Sequence, residues 1–326
     1  MITVATDDMV ITSNSDYAVT RFKNEIKKVY KITDLGDLQW FLGMEIKHDH
    51  ATHTISINQC TYIESMAIKF GLTNAKPVYI PMLPGETLSH DQSPSMPAET
   101  KEMSKIPYGN MIGHVLWPVM ISCPDAVFAT AILSQFISNP SPAHVKALKC
   151  LIVYLYTMRN CWLTFSGKDM KILAYTDADY AQQANCHLIS GYCLQFGAGA
   201  ISWSSRKQNI ITLSSTEAEY VGNTNAVKEI LWIHNFWAKT NGKPIPDPIL
   251  LRADNQGTIQ FSDNNKFYVH MKHIDVQYHF ICEALENKLL EIKYVPTDEN
   301  IVDIFTKALS RPLFKKFRGM LGLRYA

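Results

Sequence analysis

The amino-acid sequence predicts a mixed α/β fold in its second half and a smaller α+β segment in its first. Two observations carry this prediction. From about residue 168, predicted strands come first as a meander and then alternate with helices, a pattern typical of a mixed sheet with helices on its faces. The 326 residues are also 47% hydrophobic, which is enough for two domains or one large core.

The opening residues predict a pair of strands with two adjacent acidic residues, Asp7 and Asp8, between them. Polar residues 13–16 then supply capping groups for an amphipathic helix that continues to residue 30. Residues 40–46 and 54–57 predict a hairpin, and a helix is expected at about 61–70.

Prolines separate this part from three helical patterns. Six prolines and a loss of periodicity between residues 77 and 107 predict a long loop or linker. Helices are then predicted at 108–121, 124–137 and 143–157, and Pro118 predicts a kink or an end in the first of them.

The second half predicts the mixed sheet. Its meander comprises strands at 171–176, 190–196 and 200–204, with 210–213 as a further extension. A long helix is then predicted at 216–239 and a strand at 249–253, followed by a helical or loop stretch at 254–287. A further strand is predicted at 290–295 and one terminal helix from about 300.

Charge and cysteine usage exclude several classes of protein. The formal net charge is only +1, so any basic surface must be local. The seven cysteines are odd in number and form no C-x-x-C pair, which argues against a disulfide framework and favours a reducing intracellular compartment. No apolar run is long enough to span a membrane and no signal peptide is evident, so we expect a soluble protein without a membrane partner.

Four acidic residues lie where predicted elements meet in the second half. Asp177 and Asp254 end strands, whereas Glu219 and Asp303 lie in the first turns of helices. The carboxyl ends of neighbouring strands form the usual crevice for a site. Crowded carboxylates suit Mg²⁺ or Mn²⁺, and two such ions about 4 Å apart can support displacement at a phosphodiester. Each residue taken alone is better explained as a helix cap or dipole partner.

Nine short motifs make the second half recognisable. They are YTDADYA, SGY, GAISWSSRKQ, LSSTEAEY, ADNQ, KHID, YHFI, YVPT and DIFTKAL, which begin at residues 175, 190, 199, 213, 253, 272, 278, 294 and 303. Together they strongly resemble the ribonuclease H domain of copia-type retrotransposon Pol polyproteins. The resemblance implies a ribonuclease H-like mixed five-stranded sheet with flanking helices. It also implies cleavage of the RNA strand of RNA–DNA hybrids with two Mg²⁺ ions, or Mn²⁺, and no small-molecule cofactor.

Carried over residue by residue, the resemblance makes Asp177, Asp254 and Asp303 catalytic metal ligands. The remaining ligand is left open between Glu219 and Glu217, which lie roughly 200° apart around a helix, so that only one can face the site. Glu219 is favoured because it matches the family's helix start. A supporting role for the nearby Asp179 is also left open.

Contacts to nucleic acid are predicted next to this site. Arg206, Lys207 and Gln208 would contact the hybrid backbone, although a solvated hairpin tip explains them equally well. Asn255, in the ADNQ motif, is added to this set. The last helix carries a predicted basic patch, made by Arg311, Lys315, Lys316 and Arg318.

A zinc site is the alternative reading of a histidine cluster near residue 275. His270, His273, His279 and Cys282 are zinc-binding residue types. The spacings of the three histidines do not place them on one helical face, so zinc is not favoured.

The first half resembles the reverse transcriptase of the same elements. Its motifs TDLGDLQWFLGMEI, YI, FGL, KP, PM and YGNMIG begin at residues 33, 62, 70, 76, 81 and 108 and match the end of the palm, the thumb and the connection. The family's polymerase motif is Tyr-Val-Asp-Asp, whereas residues 5–8 read ATDD. Ala5 replaces the aromatic residue of that motif, and the third carboxylate of a polymerase site is expected upstream of this chain. Asp7 and Asp8 are therefore interpreted as a polymerase remnant.

Four segments are therefore expected: a truncated palm and thumb remnant at 1–82, a linker at 83–107, a helical connection at 108–167 and a ribonuclease H-like domain at 168–326. The expected function is hybrid cleavage, in a cytoplasmic virus-like particle or in the nucleus. Two alternatives are kept. One is a catalytically silent fragment that only binds nucleic acid, or that needs the missing reverse transcriptase portion as a partner. The other, less favoured, is an integrase-like transposase.

Overall fold

A computed structural model describes the chain in five stretches. Within them it also describes the side chains, except those of residues 178–179, 215–221 and 272–278. These stretches are residues 1–168, 170–179, 189–208, 215–254 and 272–325. Among the described residues, none of the helices combines the length and the hydropathy that crossing a membrane requires.

The N-terminal hairpin and the first helix form as predicted and bury almost nothing. Strands β1 (Ile2–Ala5) and β2 (Asp8–Ile11) pair antiparallel around a turn at Thr6 and Asp7. Helix α1 (Asp16–Val29) begins after Ser15, whose Oγ accepts a hydrogen bond from the Ala18 amide at 3.3 Å. No residue of these three elements is buried.

The first of two five-stranded sheets is antiparallel throughout. It comprises β3 (Trp40–Phe41), β4 (Met44–Asp49), β5 (Thr54–Asn58), β6 (Cys161–Ser166) and β12 (Leu323–Tyr325), with β12 at one edge and β3 at the other. The hairpin of β4 and β5 was predicted, whereas β6 and β12 were not. The short β12 has no periodicity to detect, and it is ordered by pairing with β6 from far away in the sequence.

Five helices build the larger hydrophobic core together with residues of both sheets. They are α2 (Cys60–Lys69), α3 (Pro97–Met103), α4 (Tyr108–Ile121), α5 (Val127–Ser134) and α6 (Pro142–Thr157). The predicted loop at 77–107 thus contains a short helix, α3, and the side chains of Met82 and Met103 are buried in the core.

Helix α4 continues through Pro118 to Ile121, so of the two outcomes predicted at this proline, a kink or an end, the end is wrong. Proline has no N–H to donate to the carbonyl of His114, four residues earlier. The Tyr62 hydroxyl of α2 donates to that carbonyl instead, at 3.2 Å. The contact between two helices therefore satisfies the acceptor that the proline leaves open.

The second sheet is the mixed sheet that the sequence predicted. It comprises β7 (Ile172–Asp179), β8 (Ile189–Phe196), β9 (Gly199–Lys207), β10 (Ile249–Ala253) and β11 (Leu290–Tyr294). The spatial order is β11-β10-β7-β8-β9; the first three strands in sequence form an antiparallel meander, and β10 and β11 run parallel to β7. The ribonuclease H-like architecture implied by the resemblance is confirmed. The predicted extension at 210–213 lies outside the described residues.

Helices α7 (Ser215–Asn241) and α8 (Lys272–Glu286) pack together and against this sheet. Apolar side chains from both helices and from β7, β8, β10 and β11 form a second core. Its fully buried members include Ala174, Leu194, Val227 and Leu251. The strand ends that carry the acidic motifs are therefore held by a rigid, packed layer.

The prediction of one terminal helix is wrong. The chain forms α9 (Asp303–Thr306), an extended segment and then α10 (Arg311–Met320). Lys307 and Ser310 have extended backbones, and Pro312 lies in the first turn of α10, where a proline is well tolerated.

The predicted basic patch on α10 is also smaller than expected. Arg318 is only 9% exposed and interacts electrostatically with the buried Tyr154 and Asp125 of the first half. The position of a residue along an amphipathic helix decides which face it occupies, and Arg318 lies on the face that packs into the larger core.

Candidate metal centre

Three carboxylates converge at one edge of the mixed sheet. Asp177 lies on β7, Asp254 directly follows β10, and Asp303 is the first residue of α9. Because β7 and β10 are parallel neighbours, their carboxyl ends meet at the same edge. One oxygen from each carboxylate can be chosen so that all three lie within 4.8 Å of one another.

Asp177 is held by a hydroxyl from α9. Thr306 Oγ1 donates a hydrogen bond to Asp177 Oδ2 at 2.5 Å, and both residues are buried. Next to it, Asn300 Nδ2 donates to the carbonyl of Thr176 at 3.0 Å and ties the loop before α9 to β7. These contacts fix the orientation of Asp177 relative to Asp303, since both ends of α9 are anchored to the strand.

A lysine lies beside the three carboxylates. Lys307 Nζ lies 3.0 Å from Asp303 Oδ2, one helical turn along the chain. The Thr297 hydroxyl reaches Asp254 Oδ2 at 3.4 Å. Sequence analysis missed Thr306, Lys307, Thr297 and Asn300. Thr306 and Lys307 had a usable signal, because residues three and four positions after Asp303 lie on the same side of a helix.

The electrostatics of the cluster favour a cation. Burial and, to a smaller extent, the nearby Asp177 raise the pKa of the Asp254 carboxyl to about 6, while Lys307 opposes the change. Burial and Asp177 likewise raise the pKa of Asp303. Carboxylates that resist ionisation in this way are stabilised in their charged form by a bound cation.

The donor set fits a hard divalent ion. All three groups are carboxylates, the ligand type that Mg²⁺ and Mn²⁺ prefer. Asp303 Oδ1 is buried and has no hydrogen-bond partner among the described residues, although buried polar atoms are normally paired. This open acceptor points to a missing positive partner. Within the described residues, no other group of three or more acidic, histidine or cysteine side chains is arranged to hold a metal.

Comparison with known proteins places the chain in a family. A family model described as reverse transcriptase (RNA-dependent DNA polymerase) matches residues 1–84. The Pol polyprotein of transposon TNT 1-94 from Nicotiana tabacum is 32% identical over 97% of this chain and 24% of its own length. That of transposon RE1 from Arabidopsis thaliana is 31% identical over 98% of this chain and 21% of its own length.

The chain belongs to the copia-type retrotransposon Pol family. It spans about a quarter of the length of these two relatives. Among solved structures, ribonuclease H1 from Halobacterium salinarum overlaps 42% of this chain and 94% of its own, at 21% identity and a TM-score of 0.31.

Several predicted site residues of this Pol segment lie outside what the structure describes. Glu217 and Glu219 are on α7, but their side chains are not among the described ones, and the same holds for Asp179 on β7. Asn255 and His270 lie outside the described residues. Helix α7 does approach the site, because a Cβ added at Gly222 would lie 3.6 Å from the backbone oxygen of Asp177. The choice between the two glutamates stays a prediction.

The predicted nucleic-acid contacts on β9 separate by exposure. Arg206 is exposed and Lys207 is half-buried, so both can reach a phosphate backbone. Gln208 is only 6% exposed. Little of its side chain is therefore open to a polyanion, and its place in the contact set stays a prediction.

Asp7 and Asp8 stand apart from this centre. They are exposed at the turn between β1 and β2. Among the described residues no third acidic side chain groups with them. The hairpin therefore presents two carboxylates to solvent rather than a closed metal site.

Proposed function

We propose that this Pol segment is a ribonuclease that hydrolyses the RNA strand of RNA–DNA hybrids. Its site would comprise Asp177, Asp254, Asp303 and one glutamate of α7, Glu219 or Glu217. The observation that carries the proposal is the convergence of three carboxylate oxygens within 4.8 Å, at strand ends of a ribonuclease H-like sheet.

The residues of the site would hold two divalent ions, Mg²⁺ or Mn²⁺. Bound there, such ions supply a nucleophilic water and neutralise charge on the phosphate. Thr306 keeps Asp177 oriented, and Lys307 forms an ion pair with Asp303. Arg206 and Lys207 would bind phosphates of the hybrid and position it.

We further propose that nucleotide addition is not an activity of this chain by itself. Phosphoryl transfer by two metal ions needs carboxylates grouped around them, and Asp7 and Asp8 are exposed with no third carboxylate nearby in the described part. The exposed apolar residues Val4, Tyr17 and Leu35, each at least 62% exposed, support a partner here. The reverse transcriptase portion of the same element would be that partner.

The test is cleavage by the purified full chain. A hybrid with end-labelled RNA is incubated with Mg²⁺ or with EDTA, beside single-stranded RNA and double-stranded DNA of the same sequence. We expect Mg²⁺-dependent cleavage of the hybrid RNA alone and its loss in Asp177→Asn, whereas Asp247→Asn, on an exposed loop, retains it. Cleavage that persists in Asp177→Asn would refute the assignment.

One observation favours a second candidate, a catalytically silent segment that only binds nucleic acid. The ion pair between Lys307 and Asp303 neutralises one carboxylate with a cation of the chain itself. If the chain binds the same hybrid with a salt-dependent affinity but cleaves it at no Mg²⁺ concentration, this candidate replaces the first.

A further inference from the structure

An aromatic pair is exposed on the outer face of α7. Trp232 is 55% exposed and Phe236 46%, and their rings are stacked with centroids 5.3 Å apart and planes 12° from parallel. The opposite face of the helix is buried, with Ala226, Val227 and Ile230 in the second core. The pair therefore points away from the sheet, and neither ring belongs to the hydrophobic cores of the described residues.

Two lysines bracket this pair. Lys228 lies one turn before Trp232 and Lys239 about one turn after Phe236, and both are exposed. Residues three and four apart share a helix face, so the four side chains form one stripe. The single acidic residue between 222 and 241 is Glu229, whose Oε1 accepts a hydrogen bond from Ser202 of β9 at 2.9 Å. The stripe is aromatic in its middle and positively charged at both ends.

We propose that Lys228, Trp232, Phe236 and Lys239 form a platform for single-stranded nucleic acid. Unpaired bases present flat faces that stack on aromatic side chains, and lysines bind the phosphates on either side. A duplex hides those faces in its own stack and would use only the lysines. Charge complementarity with a polyanion also favours nucleic acid over an apolar protein partner, which would gain nothing from the flanking charges.

The platform is separate from the metal centre. From Gly222, where α7 approaches Asp177, to Trp232 the helix rises about 15 Å. Binding at the platform needs no metal and no cleavage. It can therefore be measured in EDTA, and its failure leaves the hybrid-cleavage proposal untouched.

The test is fluorescence anisotropy with labelled 15-nucleotide oligo(dT) and oligo(rU) and the full chain in EDTA. Loss of a stacked base weakens binding by about ten-fold or more, and this is the rise in Kd expected for Trp232→Ala and for Phe236→Ala. Trp232→Phe should retain most of the affinity. The matched control is Trp117→Ala. Trp117 is 40% exposed on α4, a helix without lysine or arginine, and its loss should leave Kd unchanged.

The lysines are tested by the salt dependence of the same binding. Lys228→Gln should lower the slope of log Kd against log salt by about 0.7, the value for one phosphate contact on a single strand. The proposal is overturned if Trp232→Ala binds as tightly as the parent, or if Trp117→Ala weakens binding equally. It is also overturned if Trp232→Ala abolishes self-association of the chain without changing Kd, since the occupant would then be a second copy.

Discussion

At the scale of single residues, the hydroxyl of Thr306 decides how Asp177 is presented to a metal. Thr306→Val keeps the shape of the side chain but removes the donor to Asp177 Oδ2. Losing such a partner of a metal ligand typically costs 10- to 100-fold in metal affinity or activity, and we expect at least about ten-fold weaker activation by Mg²⁺. Thr306→Ser should restore it. Equal Mg²⁺ dependence of all three proteins in the hybrid-cleavage assay would contradict this role.

The raised pKa values of Asp254 and Asp303 predict how stability changes with pH. An aspartate of the unfolded chain loses its proton near pH 4, whereas Asp254 of the folded, metal-free chain has a pKa of about 6, and the pKa of Asp303 is also raised. Between about pH 4 and pH 6 the folded chain therefore keeps protons that the unfolded chain has lost. Through these two groups the folded state binds more protons, so their contribution to the free energy of unfolding falls as pH rises through this window.

Thermal unfolding in EDTA checks this. From pH 5 to pH 7 we expect the melting temperature of the parent to fall relative to that of Asp254→Asn, because the lowered pKa values of His114 and His144 act in the opposite direction in both proteins alike. Saturating Mg²⁺ should raise the melting temperature most at the upper end of this range, because the ion binds the deprotonated carboxylates. A melting temperature that rises with pH in EDTA to the same extent in both proteins would contradict the account.

At the scale of elements, α9 can carry Asp303 to the site only because β8 has a glycine beneath it. A Cβ at Gly191 would lie 2.8 Å from Val302 Cγ1 and 3.0 Å from Phe305 Cβ. Gly191→Ala should therefore displace α9, lower stability by about 1–3 kcal/mol and weaken activation by Mg²⁺. Gly319→Ala, which has open space around the new Cβ, is the control in thermal unfolding and cleavage. A Gly191→Ala protein as stable and active as the control would show that the contact is tolerated.

The sequence predicts elements well where periodicity and local chemistry decide them. Helix α6 shows this, since its apolar stripe of Val145, Leu148, Ile152 and Leu155 is almost fully buried. Elements fixed by distant partners escaped prediction. Strand β12 exists through pairing with β6, and α4 survives Pro118 because Tyr62 satisfies the open carbonyl.

Residues of the candidate site were likewise predicted where a local motif contains them and missed where a distant contact positions them. Asp177, Asp254 and Asp303 were found because each sits in a motif that can be matched by position. Asn300 was not found, since its contact to Thr176 spans more than a hundred residues and leaves no local pattern. The burial of Gln208 could not be foreseen, since exposure at the end of β9 is set by packing, which the motif does not contain.

At the scale of the whole molecule, the C-terminal segment joins both halves into one core. Phe314, Phe317 and Leu321 pack with helices α4 to α6, and β12 completes the first sheet. Beneath them Tyr154 donates a hydrogen bond to Asp125, with Arg318 beside both. Burial raises the pKa of Asp125, while Tyr154 and Arg318 oppose that change. These contacts link residues that the sequence analysis placed in different segments.

Removing Arg318 should therefore destabilise the whole chain. Arg318→Met removes the cation that interacts with the buried Tyr154 and Asp125, and losing a partner of buried polar groups costs about 1–3 kcal/mol. Asp125→Asn in the same protein should recover part of the loss. Urea unfolding measures both, with Lys315→Met, an exposed position on the same helix, as control. An Arg318→Met chain as stable as the control would mean that Arg318 is not needed to neutralise Asp125.

The most direct test of the central claim is a titration of the full chain with Mn²⁺, followed by electron paramagnetic resonance of the free ion. The account predicts that Asp177, Asp254 and Asp303 bind the metal together. Asn at any one of the three should therefore sharply reduce Mn²⁺ binding, and Mg²⁺ should compete with Mn²⁺ in the parent. Asp298→Asn, at a nearby exposed carboxylate, should bind as the parent does. Unchanged Mn²⁺ binding in Asp177→Asn and Asp303→Asn would contradict the account.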